Sequence, residues 1–207
     1  MSTVIHGTWR EVIIRHSRFV SRAFHIASAE NLADILAETA EQWPKATHYV
    51  WAYVLETGQE RMTDDGEPLG TAGPPTLTLL RKRELVKSAI VTVRYFGGTK
   101  LGTGGLVHAY HDSALYALSH AQLGHEQEIF SLTLEIPYAE WGRTENFLVT
   151  QHIAYTAEFY NHVKLTCELP YNSWQTSYAT LQTEIAPHVR LLKTEKSTIL
   201  APDVSHS

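Results

Sequence analysis

Alternation and helical spacing of apolar residues divide the chain into two successive patterns. Trp9–Ile26 is rich in β-branched and aromatic residues and predicts two strands broken near Arg15–Arg18. Ser28 is placed to cap a helix in which Leu32, Ile35, Leu36, Thr39 and Trp43 recur at helical spacing until Pro44 stops it. Thr47–Glu56 predicts a strand with apolar residues on both faces, hence covered on both. Residues 57–75 have no periodicity and are dense in glycine, proline and carboxylates. A helix over Thr76–Leu85 and a buried strand over Ala89–Phe96 follow. A further helix then carries Leu106, Tyr110, Ser113, Ala117 and Ala121 on one face and His108, Asp112 and Ser119 on the other.

After the polar stretch Leu123–Gln127 the pattern becomes strand (Ile129–Pro137), helix (Glu140–Gln151), strand (Ile153–Tyr160), strand (Val163–Pro170), helix (Ser173–Ile185) and strand (Val189–Thr194). Asn161-His162 is the turn of a hairpin. This βαββαβ order is that of a ferredoxin-like domain. The expected class is α+β, with one domain over 1–124 and a ferredoxin-like one over 128–207.

Composition narrows the choice of function. With 17 Lys and Arg against 22 Asp and Glu the net charge is −5, so any grip on nucleic acid has to use a local patch. Cys167 is the only cysteine, expected as inert packing in a reducing compartment. The chain opens without secretory-signal features and has no apolar run of membrane-spanning length, so the expected location is the cytoplasm.

Two segments carry the candidate chemistry. Gly97-Gly98-Thr99-Lys100-Leu101-Gly102-Thr103-Gly104-Gly105, five glycines in nine positions, links a buried strand to a helix. Such a turn exposes backbone N–H groups and the positive end of the helix dipole, which suits an anion; it is equally a tight turn without a ligand. It fits neither a Walker loop nor a dinucleotide fingerprint. Asp64-Asp65-Gly66-Glu67-Pro68 groups three carboxylates that could hold Mg²⁺, move a proton or pair with arginine; the alternative is a solvated acidic turn. Gly70-Thr71-Ala72-Gly73 is a second loop-to-helix junction, and the two junctions together suggest the walls of a pocket. Arg94 is expected in a salt bridge to Asp64 or Asp65, or on an anionic ligand. Tyr95 and Phe96 could stack on bases, and Arg81-Lys82-Arg83 is a basic cluster on a helix. His108 and His111 have helical spacing but no third ligand, so no metal or other cofactor is expected.

Thr63–Gly73 and Val93–Leu106, with Ser17-Arg18-Phe19 and Ala46-Thr47-His48, resemble the IMPACT family, specifically its bacterial, YigZ-like branch. The resemblance implies a first domain similar to ribosomal protein S5 domain 2 and a second similar to a ferredoxin-like domain of elongation factor G. The family's eukaryotic members regulate translation by binding a protein that activates the eIF2α kinase. His108 and His111 depart from the family pattern, standing where relatives carry a basic and a small residue. The resulting expectation is a non-enzymatic, translation-related regulator that binds RNA, the ribosome or a translation factor. Its cleft would be formed by Asp64, Asp65, Gly66, Glu67, Pro68, Gly70, Thr71, Gly73, Arg94, Tyr95, Gly97, Gly98, Lys100, Gly102, Gly104 and Gly105, with Arg18 and His48 in support. The alternative is an enzyme acting on a phosphorylated small molecule or nucleotide through Asp64, Asp65 and Glu67.

Overall fold

The computed structural model describes residues 2–203. The chain falls into two compact units, one reaching His125 and also taking in the chain from Pro202, the other Glu126–Ala201.

The first unit holds β1 (Thr3–His6), β2 (Arg10–Ile14), β3 (Ser17–His25), α1 (Ala29–Gln42), β4 (His48–Val54), β5 (Glu60–Thr63), α2 (Gly73–Lys82), β6 (Ser88–Tyr95) and α3 (Gly102–Ser119). Its five-stranded sheet has the order β2-β3-β6-β4-β5, and every neighbouring pair is antiparallel. β6 lies at the centre and is buried along nearly its whole length, which accounts for its unbroken apolar character. On one face Ile90 packs with Leu77 and Leu80 of α2 and Ala114 and Leu118 of α3. On the other, Ala89 and Val91 pack with Leu32, Ile35 and Leu36 of α1. α1 starts at Ser28 as expected, where the Ser28 N–H donates to Asn31 Oδ1 (3.1 Å).

Three boundaries differ from the sequence expectation. α2 begins at Gly73 rather than Thr76, because Pro74 and Pro75 occupy first-turn positions where no intrahelical N–H is needed. β5 lies inside the segment without periodicity; it is an edge strand of mostly polar residues and gives no apolar alternation. Gly102, Gly104 and Gly105 form the first turn of α3 instead of a loop before it.

The second strand system begins with β7 (Gln122–Ile136). The polar stretch Leu123–Gln127 is therefore strand, held at Thr3↔Gly124 and Val4↔Leu123 by β1. The unit Glu126–Ala201 continues with α4 (Tyr138–Thr150), β8 (Tyr155–Phe159), β9 (Val163–Pro170), α5 (Trp174–Thr180) running into a π-helical turn (Leu181–Ile185), and β10 (Arg190–Pro202), longer than the segment expected. β10 pairs with β7, β7 with β9 and β9 with β8, the strand order of a ferredoxin-like sheet. Leu132, Leu134, Val163, Leu165 and Cys167 line its helix-covered face with Leu148 and Leu181. The fold class is thus the α+β arrangement read from the sequence.

Candidate functional site

Antiparallel pairing brings one end of the first sheet together. The end of β6 lies beside the start of β3 and the start of β4, so Arg94 sits opposite both Phe19 and His48. The turn Arg15-His16, where both residues have positive φ, closes β2 onto β3 at this same end. Gly97 is needed here for contact: a Cβ would lie 2.0 Å from the His16 carbonyl carbon, so the chain after β6 runs directly against that turn.

Arg94 is 4% exposed and its partner is Glu67, not Asp64 or Asp65. Arg94 Nη1 donates to Glu67 Oε1 at 2.5 Å, and Nη2 donates to Ser17 Oγ at 3.3 Å. The same Glu67 oxygen accepts the Tyr110 hydroxyl from α3 at 2.7 Å. Burial, and then the neighbouring Glu67 charge, push the Tyr110 phenol far above its ordinary range, so it remains a neutral donor. His48 Nδ1 lies 2.6 Å from the Asp65 carbonyl, which can only accept, so Nδ1 carries the proton and Nε2 faces Glu67 Oε1 at 3.6 Å.

The other two carboxylates are also committed. Asp64 accepts the backbone N–H groups of Gly70 (2.8 Å), Ala72 (2.9 Å) and Gly73 (2.8 Å), capping α2. Burial works to raise its pKa, but these three donors outweigh it and hold the carboxyl below the usual range. Asp65 Oδ2 accepts the Tyr49 N–H at 2.6 Å and so fixes the loop to the start of β4. The loop closes through Thr71, whose hydroxyl donates to the Pro68 carbonyl at 2.7 Å, with Gly66 and Gly70 at positive φ. The acidic run is therefore neither a solvated turn nor a free ligand set. Among the described residues no three His, Cys, Asp or Glu side chains come together as a metal site.

The two loop-to-helix junctions do face one another. A cavity of about 290 Å³ is lined by Glu67, Pro68, Arg94, Phe96, Lys100, Leu101, Gly102, Thr103 and Leu106. A wider one of about 470 Å³ lies between Gly70, Pro74, Pro75 and Thr78 on one side and Val107, His108 and His111 on the other. Of the remaining predicted residues, Gly98 and Lys100 are exposed in the loop before α3, and Gly104 and Gly105 lie in its first turn. Tyr95 donates to the Pro44 carbonyl at 3.1 Å, and its ring and that of Trp43 hold the Arg18 guanidinium, which also pairs with Glu11. Phe96 is 46% exposed beside them.

Of the basic groups named from the sequence, Lys100 is exposed at this end. Arg94 is enclosed, and Arg81 pairs with Glu60 at the far end of α2 from the loop. Like Lys100, Arg15 and Lys45 are exposed, and among the described residues none of the three has a carboxylate partner. Arg15 belongs to the turn against Gly97, Lys45 follows the Pro44 carbonyl that Tyr95 holds, and Lys100 rims the smaller cavity. The hairpin signal at Arg15–Arg18 was legible, but the strand pairing that carries it to Phe96 was not.

The Impact N-terminal domain matches residues 15–118, the span that contains both junctions and the basic rim. The IMPACT family member YvyE of Bacillus subtilis (strain 168) is 31% identical over 192 residues, 88% of each chain. The IMPACT family member YigZ of Escherichia coli (strain K12) is 34% identical over 129 residues, 60% of this chain and 63% of that one. A solved structure described as a hypothetical protein is 28% identical, with a TM-score of 0.60, covering 94% of this chain and 97% of its own.

Proposed function

The chain belongs to the IMPACT family, and from that footing we propose that it is a translation-related regulatory protein that holds single-stranded RNA across the end of its first sheet. The observation that carries this reading is the set of unpaired cations Arg15, Lys45 and Lys100 on segments brought to the end of the first sheet that carries the exposed Phe96 ring. Cations without counterions can neutralise phosphates, and an exposed aromatic offers a face on which any base can stack. The first turn of α3 adds backbone N–H groups beside Lys100. The translation setting comes from the family's eukaryotic members.

The local balance of charge supports an RNA grip that the whole chain would oppose. The first unit, Asp203 included, carries twelve Lys and Arg against thirteen Asp and Glu, so it opposes an RNA grip by only one of the chain's five net negative charges. Asp64, Asp65 and Glu67 are each engaged by backbone or side-chain donors, which favours a binding role over acid–base chemistry at that loop.

Titration of labelled oligouridylate across a salt series tests the proposal. Three contacts predict a slope of log K against log salt of roughly −2, and Lys45→Ala or Lys100→Ala should each reduce it by about 0.7. Phe96→Ala should weaken binding by about 1–3 kcal/mol and leave the slope unchanged. Absence of binding at low salt, or slopes that ignore both lysines, would reject RNA and favour a protein partner for the cleft.

A further inference from the structure

The ion pair of Glu67 with Arg94 leaves one acceptor unspent. Arg94 and the Tyr110 hydroxyl both bond to Glu67 Oε1, and His48 Nε2 faces that same oxygen. Glu67 Oε2 accepts neither bond, although the side chain is only 3% exposed. An enclosed acceptor without a donor costs free energy that a ligand carrying a donor would recover. Glu67 lines the cavity of about 290 Å³, so such a ligand has room beside it. That volume is at the lower end of the roughly 300–1,000 Å³ typical of ligand pockets, which suits a small molecule.

The α3 side of the cavity offers the opposite chemistry. Gly102 and Thr103 line it with the first turn of an 18-residue helix, whose capping position is held by Leu101 without a side-chain bond. The N–H groups of such a turn have no intrahelical acceptor and carry the positive end of the helix dipole. Lys100 adds an exposed ammonium. With Arg94 set against Glu67, the lining carries one net positive charge. A simple anion would meet the α3 side and leave Oε2 bare; a simple amine would meet Oε2 against that net charge. A molecule with both an ammonium and a carboxylate satisfies each side. Pro68, Phe96, Leu101 and Leu106 supply apolar surface for the rest of it.

We propose that this cavity binds a free amino acid with an apolar side chain, its ammonium donating to Glu67 Oε2 and its carboxylate received by Lys100 and the first turn of α3. The inference goes beyond the RNA reading, and its test contains no nucleic acid, so either can fail without the other. Calorimetric titration of the full chain with L-valine, L-leucine and L-phenylalanine should show binding of at least one at millimolar concentration or below. For that amino acid, the N-acetyl derivative lacks the ammonium and the carboxamide lacks the carboxylate. Each should bind at least roughly tenfold more weakly. The role of Glu67 is tested through the ligand because its own substitution would strand Arg94. On the protein side, Thr103→Glu sets a carboxylate near Lys100 at an exposed position in the first helical turn, where negative charge favours the helix. It should keep the melting temperature and weaken the amino acid roughly tenfold. No binding of any of the three, equal binding of either derivative, or equal binding of the amino acid by Thr103→Glu would overturn the proposal.

Discussion

A carboxylate shut away from water is tolerable only when its charge is matched and its lone pairs are used. Glu67 matches its charge with the Arg94 guanidinium and gives one oxygen, Oε1, to both that group and the Tyr110 hydroxyl. Glu67→Gln removes the charge and leaves Arg94 enclosed without a counterion, so it should destabilise the protein by about 3–5 kcal/mol, read from the urea midpoint. A loss under about 1 kcal/mol would show that the guanidinium finds water and that the pair is not a structural unit. Asp64 makes a different kind of contribution, because its carboxyl is held below the ordinary range by the donors of Gly70, Ala72 and Gly73. A depressed folded pKa means that its share of stability is present at neutral pH and is lost as pH falls through the folded value, below about pH 4. Asp64→Asn should lower stability at pH 7 and flatten the acid limb of the stability profile; a parallel limb would assign that limb to other carboxylates.

Elements here are set as much by their ends as by their interiors. α2 can begin on Gly73-Pro74-Pro75 because Asp64 supplies the acceptor its first N–H groups lack. α3 begins on glycines, with Leu101 in the capping position and no side-chain cap bond, so its first turn opens toward the cavity that Lys100 rims. β7 is continuous through the point where the two compact units divide. Its first residues pair with β1, the Asp203 N–H bonds to the Leu123 carbonyl, and β10 lies along it. Residues 122–127 should therefore resist a protease of broad specificity such as proteinase K in the native protein, with early cuts in exposed loops such as 97–101, as fragment masses would establish. Early cleavage at 122–127 would mean that this part of β7 opens readily and that the boundary behaves as a linker.

Over the whole molecule the charge is divided unevenly, −1 in the first unit and −4 in the second, so a single net charge describes neither surface. Among the described residues no helix is long and apolar enough to cross a membrane. The lone thiol reports on one unit alone. Cys167 is enclosed in the second core, and burial, with a smaller push from Glu168, raises its thiol to about 12. It should stay unreactive toward a thiol reagent at neutral pH and become labelled in urea together with loss of that core. Rapid labelling of the native protein would show that the second unit opens independently at low cost.

The sequence by itself determined the types of most elements, the βαββαβ order, the Ser28 helix start and the buried strand around Val93, because each is written in local spacing and turn chemistry; the strands Thr3–His6 and Glu60–Thr63 left no such trace. It also marked the two loop-to-helix junctions, since glycine and proline clusters are local signals. Only the tertiary structure decided what those residues do. Asp64, Asp65 and Glu67 are neighbours in the chain but serve a helix end, a strand and an arginine, depending on which backbone or side chain lies opposite. Arg15, Lys45 and Lys100 are far apart in sequence, and antiparallel pairing of β3 and β4 with β6 brings their segments to one end of the sheet. The contact of Tyr138 with Phe159 arose in the same way, because which rings meet between a helix and a strand follows from packing and leaves no periodic trace.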